Sequence, residues 1–373
     1  MGILIPFNVP YVPEISKQYA LEALESNYQQ GDGPFTTKAS KSVSDLVGGG
    51  HILLTPSCTH ALEMASMLAN IGPGDEVILP SFTFTSAATA VTKFGATPVF
   101  VDIEMQTKGI DANQVREAIT PRTKAISWVN YAGVAPDIDA LQSIAKEFNL
   151  LLIEDNAHGL GGSYKGKPLG SFGDFATQSF HATKNIQCGE GGALVINNVK
   201  YIDRAEVIRE KGTNRSRFLR GEVQKYEWVD QGSSYLLAEV LSAILCGQLL
   251  EFSRIQNDRL DSWNAYSNYF MNSYNLKFNE MQVAHMFFIE LQTEKERARV
   301  IDELKSAEVY SSFHYSSLAD SKFSDYMGFP KNLTPISSEF SKTILRLPLW
   351  FGMGPENVTS VLKALEEVQP QTI

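Results

Sequence analysis

Three short segments of this chain carry residue types that could do chemistry. The first is SFHATKNIQCGEGGALVI, residues 179–196, with Lys184 at its centre. Most lysines are exposed and inert. This one follows the apolar run FATQSFH and precedes Gly189, Gly191 and Gly192, which let a backbone or a flat ligand come close. A lysine removed from water has a lowered pKa and can form a Schiff base with a carbonyl. The second segment, LLLIEDNAHG at 150–159, reads as a buried strand ending in acids. Side chains alternate faces along a strand, so Glu154 and Asp155 cannot serve the same site. One carboxylate works at the strand end, with His158 close behind. A metal site would need further ligands at a spacing that is absent. A structural ion pair, or an acid that keeps a cationic cofactor protonated, remains open. The third segment is TPSCTHALEM, residues 55–64. Small hydroxyl residues between a strand and a helix leave N–H groups unpaired at the positive helix end, where phosphate binds. An ordinary N-cap by Ser57 or Thr59 is the competing reading.

Together the segments offer a phosphate cradle, a strand-end acid and a low-polarity lysine. Those are the three handles of pyridoxal 5′-phosphate (PLP): the lysine takes the aldehyde, and the acid keeps the ring nitrogen protonated. Two nucleotide motifs fail. GLGGSY at 159–164 has Tyr164 where a third glycine belongs. GSYKGKP breaks the phosphate-loop pattern at Pro168, which offers neither a hydroxyl nor an N–H. YKGKPLG reads instead as a turn between two short strands, with Gly166 at the turn.

The elements that must hold these segments follow from patterning. HILLTP, DEVILP, TPVFVD, KAISWVNY, LLLIED and GALVIN are short apolar runs, with helical stretches such as CTHALEMASMLANI and DALQSIAKEFN between several of them. That alternation predicts βαβ units and a mostly parallel sheet, with ligands beyond the strands' carboxyl ends. PEISKQYALEALES is expected to be a lead-in helix, followed by a GDGPFT turn. Residues 212–232 are polar, basic and aromatic without a period, and read as a long functional loop. Helical spacing resumes near 233. The tail mixes strands (HMFFIEL, SSFHYS) with helices (RARVIDELKSA, ENVTSVLKALEEV). At roughly 150 residues per domain, 373 residues suit a large domain and a smaller one. A net charge of −10 lacks the basic footprint of a duplex-binding protein. Cys58, Cys188 and Cys246 lie far apart, and the N-terminal segment has no basic lead. Neither a disulfide scaffold nor a signal peptide is expected, and a cytoplasmic location follows.

These segments resemble the DegT/DnrJ/EryC1/StrS family of sugar aminotransferases, PLP enzymes of fold-type I. The likeness runs from IPFNVP (5–10) to LRLPLW (345–350). It is carried by GDGPFT, LLTPSCTHALEM, GDEVILPSFTF, YAGVA and SFHATKN, and above all by EKGTNRSRFLRGEVQKYEW at 210–228. It implies an α/β fold: a large PLP-binding domain over 1–250, with a seven-stranded, mostly parallel mixed sheet between helices, and a small α+β domain over 251–373. It implies that Lys184 forms the Schiff base and moves the catalytic proton, and that Asp155 pairs with the pyridine nitrogen. His158 would lie near the cofactor's phenolic oxygen, and Phe84 would stack on its ring. The Cys58 and Thr59 amides and the Ser179 hydroxyl would hold its phosphate. Asn214 would reach the phosphate in the neighbouring subunit, which implies a homodimer with shared sites. Arg215, Arg217, Arg220 and Lys225 are candidates for a nucleotide-sugar diphosphate, and His314 and Tyr315 for the sugar.

The activity implied is transfer of the amino group of L-glutamate to C4 of a dTDP-linked 4-keto-6-deoxyhexose, for surface polysaccharide such as O-antigen. The likeness is greatest to the branch making dTDP-4-amino-4,6-dideoxygalactose. A 3-keto sugar remains an alternative, as does a non-catalytic PLP-fold regulator. Intact Lys184, Asp155 and Ser179 speak against the regulator, and lysine rather than histidine at 184 favours transamination over dehydration. Two positions depart from the family pattern. Asn156 replaces a common alanine. The run His314-Tyr315-Ser316-Ser317-Leu318-Ala319 lacks the family's proline and second histidine.

Overall fold

The computed structural model describes residues 4–278, 281–328 and 333–373. Helices α1 (Glu14–Glu25) and α2 (Pro34–Val47) precede the first strand. The strands of the first half are β1 (His51–Thr55), β2 (Glu76–Pro80), β3 (Thr97–Val101), β4 (Thr123–Val129) and β5 (Leu151–Asp155). A small hairpin of β6 (Ser163–Tyr164) and β7 (Lys167–Pro168) follows, then β8 (Phe175–Ser179) and β9 (Gly192–Ile196). The helices among and after them are α3 (Cys58–Leu68), α4 (Thr85–Thr92), α5 (Ala112–Ala118), α6 (Ile138–Phe148) and α7 (Ile202–Arg209). Seven strands form one sheet in the order β1-β9-β8-β5-β4-β2-β3. All its pairings from β8 across to β3 are parallel, whereas β9 runs against both β8 and β1. The expected α/β fold with a mixed, mostly parallel seven-stranded sheet is therefore present.

Helices cover both faces of this sheet, so its strands are buried on both sides and read as continuous apolar runs. Val77 and Ile78, adjacent on β2, enter different core clusters on opposite faces. The GDGPFT segment does more than turn. It opens α2, whose Phe35, Ala39, Val43 and Val47 recur at helical spacing and are buried. Buried Glu239 accepts hydrogen bonds from the Gly33 N–H (3.1 Å) and the Thr36 hydroxyl (2.6 Å), placing negative charge at the helix's positive end. A Cβ at Gly33 would lie 2.5 Å from the Glu239 carboxyl carbon, so the glycine is required for close approach.

Residues 212–232 contain only the short helix α8 (Arg215–Leu219). Then come α9 (Glu239–Leu250) and α10 (Phe252–Tyr274). The first turns of α10 pack Phe252 and Ile255 into the core of the large sheet. Further along it, Trp263, Tyr266 and Phe270 enter a second core. That core is completed by β10 (Phe287–Glu290), α11 (Glu294–Ser306), β11 (Ile344–Leu347) and α14 (Gly354–Val368). Helices α12 (Lys322–Met327) and α13 (Pro335–Thr343) lie between α11 and β11. Ile5, near the chain start, joins this second core and bridges Val309. SSFHYS is not a strand of its own: Ser312 makes a single bridge to Arg346 at the edge of β11.

Candidate active site

The carboxyl ends of the parallel strands open on a cavity of about 400 Å³. Residues at or just beyond five strand ends line it: Ser57 after β1, Thr83 after β2, Val129 on β4, Asp155 on β5 and Ser179 on β8. Lys184 is held on an extension of the β8–β9 pair. Phe180 N–H donates to Gly191 O, and Ala182 N–H to Gly189 O, each at 2.8 Å. Burial lowers the Lys184 pKa from 10.5 to about 8. Cys58 and Asp155 oppose that shift, and the charge of Arg346 adds to it.

Strand alternation separates the two acids as expected. Asp155 faces the cavity, where burial raises its pKa against the pull of the Ala157 N–H, Lys184 and Thr177. Its Oδ1 accepts from Ala157 N–H (3.1 Å) and the Thr177 hydroxyl (3.5 Å), and Oδ2 has no partner among the described residues. A buried carboxylate in that condition suits a cationic group. Glu154 faces away. It accepts from Asn130 Nδ2 (2.8 Å), Gly170 N–H (2.7 Å) and Phe172 N–H (3.0 Å), and so fastens a loop.

The β1–α3 junction has its N-cap and still leaves donors free. The Ser57 hydroxyl caps α3 by accepting from His60 N–H (3.2 Å). The Cys58 and Thr59 amides are left without acceptors among the described residues, as is the Ser179 hydroxyl, and all three residues line the cavity. Gly192 lets β9 pass this turn; a Cβ there would come 2.4 Å from the Cys58 nitrogen. Phe84 caps α4 at the cavity wall, 53 % exposed. In the rejected phosphate-loop motif, glycine serves packing: a Cβ on Gly161 would lie 2.4 Å from the Phe252 ring. Lys165 and Gly166, at φ of 50° and 80°, form the hairpin turn.

His158, His181, His285 and His314, four of the chain's six histidines, share the cavity wall. Burial, and then the charge of Lys184, hold the His158 pKa well below its usual value, so it is neutral. Its Nδ1 accepts from Ala132 N–H (3.3 Å), which leaves the hydrogen on Nε2, directed at the Tyr315 hydroxyl (3.1 Å). Both ring nitrogens are engaged; a bond to a cofactor's phenolic oxygen would need Nε2 to leave Tyr315. His285 stacks on His158 at 4.3 Å. His314 Nδ1 meets the Tyr131 hydroxyl at 2.7 Å, and burial, with Arg346, pushes its pKa down to about 2. Asn156 is fully buried, and its Oδ1 accepts from Asn130 Nδ2 (2.8 Å) behind the wall.

Thus Lys184, Cys58, Thr59, Phe84, Asp155, His158, Ser179, His314 and Tyr315 converge. Asn214, Arg215, Arg217, Arg220 and Lys225 do not line this cavity. Asn214 Oδ1 accepts from Glu227 N–H (2.8 Å) within the loop. The loop arginines face carboxylates: Arg215 with Glu210 (2.6 Å), Arg217 with Glu222 (3.2 Å), Arg220 with Glu206 (2.8 Å) and Glu222 (2.6 Å). Sequence reasoning missed His285 and Arg346, which also line the cavity. The available signal for Arg346 was one cation inside the apolar run TILRLPLW.

The free amides suit a phosphate, the half-paired buried carboxylate a ring nitrogen, and the desolvated amine an aldehyde. PLP presents all three, and on a sheet of this topology the site is that of a fold-type I PLP-dependent aminotransferase. The model of the DegT/DnrJ/EryC1/StrS aminotransferase family matches residues 11–366, and the chain belongs to that family of sugar aminotransferases. It is 29% identical to the spore coat polysaccharide biosynthesis protein SpsC of Bacillus subtilis, over 98% of this chain and 97% of SpsC. Spr1654 of Streptococcus pneumoniae, assigned as a sugar aminotransferase, has a PLP form that superposes with a TM-score of 0.89 at 27% identity, covering 99% of this chain and 98% of that one. DesI, solved in the presence of its TDP-sugar product, superposes with a TM-score of 0.87 at 26% identity, over 98% of this chain and 93% of DesI.

Proposed function

We propose that the protein moves the amino group of L-glutamate to C4 of a dTDP-linked 4-keto-6-deoxyhexose, making an amino sugar for surface polysaccharide. The observation that carries the transaminase chemistry is the Lys184 amine, buried and lowered to about 8, in a cavity with Asp155. A base with a pKa near the working pH accepts and returns a proton efficiently. When bound, PLP supplies the electron sink that makes the donor's carbon acidic. Lys184 Nζ takes the proton from that carbon and returns it on the other side of the transfer. Asp155 holds a proton on the ring nitrogen. The Cys58 and Thr59 amides and the Ser179 hydroxyl would hold the phosphate, and Phe84 would face the ring.

The nucleotide sugar is supported by the DesI likeness, and the polysaccharide by that to SpsC. A homodimer with Asn214 acting across the interface is supported by the 212–232 loop. Trp228 is 80 % exposed there, beside exposed Tyr226 and Val229, and a second copy would cover them. Arg215, Arg217, Arg220 and Lys225 would then stand over the partner's cavity mouth to meet the diphosphate. Among the described residues, no helix is long and apolar enough to cross a membrane, and the three cysteines are free thiols. A cytoplasmic site of action fits those thiols. Incubation with glutamate and a panel of dTDP- and UDP-linked 3-keto and 4-keto sugars, followed by NMR of the products, tests the reading. A C4-aminated dTDP product is expected; amination at C3 alone would replace the proposal with the 3-keto alternative.

A further inference from the structure

We propose that a second cavity binds a pyrimidine nucleoside phosphate, and that its occupancy is felt at the active site through Tyr131. The cavity measures about 540 Å³. It lies among the loop after β3, the turn after β4, β10, and α10 with the stretch that follows it. No described residue lines both this cavity and the one that holds Lys184.

Its wall describes one kind of ligand. Met281, Met286, Phe278 and Phe288 present soft and aromatic surface, which suits a flat ring. Trp263 lines the same wall, only 5 % exposed, and its indole N–H has no acceptor among the described residues. A buried donor left unmet is destabilising, and an acceptor in the cavity would satisfy it. The Gln106 amide is exposed on the wall, also unpaired among the described residues, and offers a donor and an acceptor together. Thymine and uracil carry the matching edge, carbonyls beside a ring N–H. Charge supplies the other end of the ligand. Three charged side chains line the wall. Lys108 and Glu290 pair with each other at 2.8 Å, and the Lys108 ammonium also lies 4.3 Å over the Phe340 ring. Lys277 is exposed and has no ion pair among the described residues, so it is free to meet a phosphate.

One turn serves both cavities. Tyr131 lines the second, while its hydroxyl meets His314 Nδ1 of the first at 2.7 Å. Ala132 lines it too, and its N–H donates to His158 Nδ1 at 3.3 Å. Ala132 is held at a φ of 53°, a strained value for a residue with a Cβ. A ligand that favours a shifted turn would therefore move two active-site histidine contacts.

The site is tested without turnover; its coupling rests on the transaminase reading. 5-Iodo-dUMP irradiated with the holoenzyme should cross-link to Trp263, Phe278 or Phe288, located by mass spectrometry. Label confined to the Lys184 cavity, or no label, would overturn the site. Lys277→Glu, and separately Trp263→Phe, which keeps a ring and removes the N–H, should each weaken dTMP binding about tenfold by calorimetry. Lys277→Glu, a surface change, decides alone if Trp263→Phe does not fold, and wild-type affinity in it would overturn the site. Saturating dTMP should change KM for the keto sugar about fivefold or more in wild type, and less in Lys277→Glu. No change, or an equal change in both, would overturn the coupling. If glutamate and keto sugars fail to react while the cross-link and its dependence on Lys277 remain, the transaminase reading falls and the nucleotide site stands.

Discussion

Two regions of this molecule gather cations, and they treat them in opposite ways. In the 212–232 loop, Arg215, Arg217 and Arg220 lie at the surface, each within 3.2 Å of a glutamate. On the cavity wall, Lys184 and Arg346 are half-buried, and neither forms an ion pair among the described residues. Exposed pairs contribute little to stability, and their charge stays reachable by a ligand. Unpaired, desolvated charge is unfavourable in the empty protein and persists because a ligand completes it. The pairing state of a cation therefore says more about its role here than its presence in a basic stretch.

The largest expected effect lies on the cavity side. Lys184→Ala should lower turnover by about 10⁵-fold or more, since it removes both the covalent anchor and the proton carrier. Asp155→Asn should lower kcat by about 10²–10³-fold, as loss of one electrostatic stabiliser does. Its neighbour sharpens the contrast. Glu154→Ala leaves the Gly170 and Phe172 amides unmet and should destabilise the fold by about 1–3 kcal/mol per amide, read as a lower Tm with turnover per folded enzyme retained. If Glu154→Ala instead abolished chemistry in folded protein, the division of labour on β5 would fail. Charge reversal of Arg217 and Arg220 together should raise KM for the nucleotide sugar several-fold with kcat little changed; an unchanged KM would remove the loop from substrate binding. The smallest effect is in the pH dependence. Only the free amine attacks an aldehyde, so PLP capture by the cofactor-free protein should rise through about pH 8, well below an ordinary lysine. The sign extends to stability. With its folded pKa below 10.5, Lys184 binds fewer protons folded than unfolded between about pH 8 and 10.5, so the cofactor-free protein gains stability as pH rises through that window. In Arg346→Gln, loss of a neighbouring positive charge should move both features upward.

The cavity was legible in sequence where its signals are local. Lys184 stands among glycines, Asp155 ends an apolar strand, and Cys58 and Thr59 follow one, so each betrays its place within about ten residues. Arg346 and His285 reach the site from the second core, and their neighbours read as ordinary apolar strand. Nothing local to them says which face is turned inward. The loop's ion pairs were hidden for a related reason. Its charge was plain, but Glu206 and Glu210, two of the acids that pair with it, lie upstream on and just after α7. Most strands were legible because burial on both sheet faces makes them continuous apolar runs. Helix α2 was hidden because PFTTKASKSVSDLV is largely polar, and its N-terminus is held by Glu239, some two hundred residues away.

The account turns on Lys184 holding PLP in a form that glutamate can discharge, and one spectrum tests it. The purified protein should be yellow, and L-glutamate should bleach the visible band. Addition of the accepted keto sugar should restore it. No visible band, or one that persists in Lys184→Ala and ignores glutamate, would contradict the account.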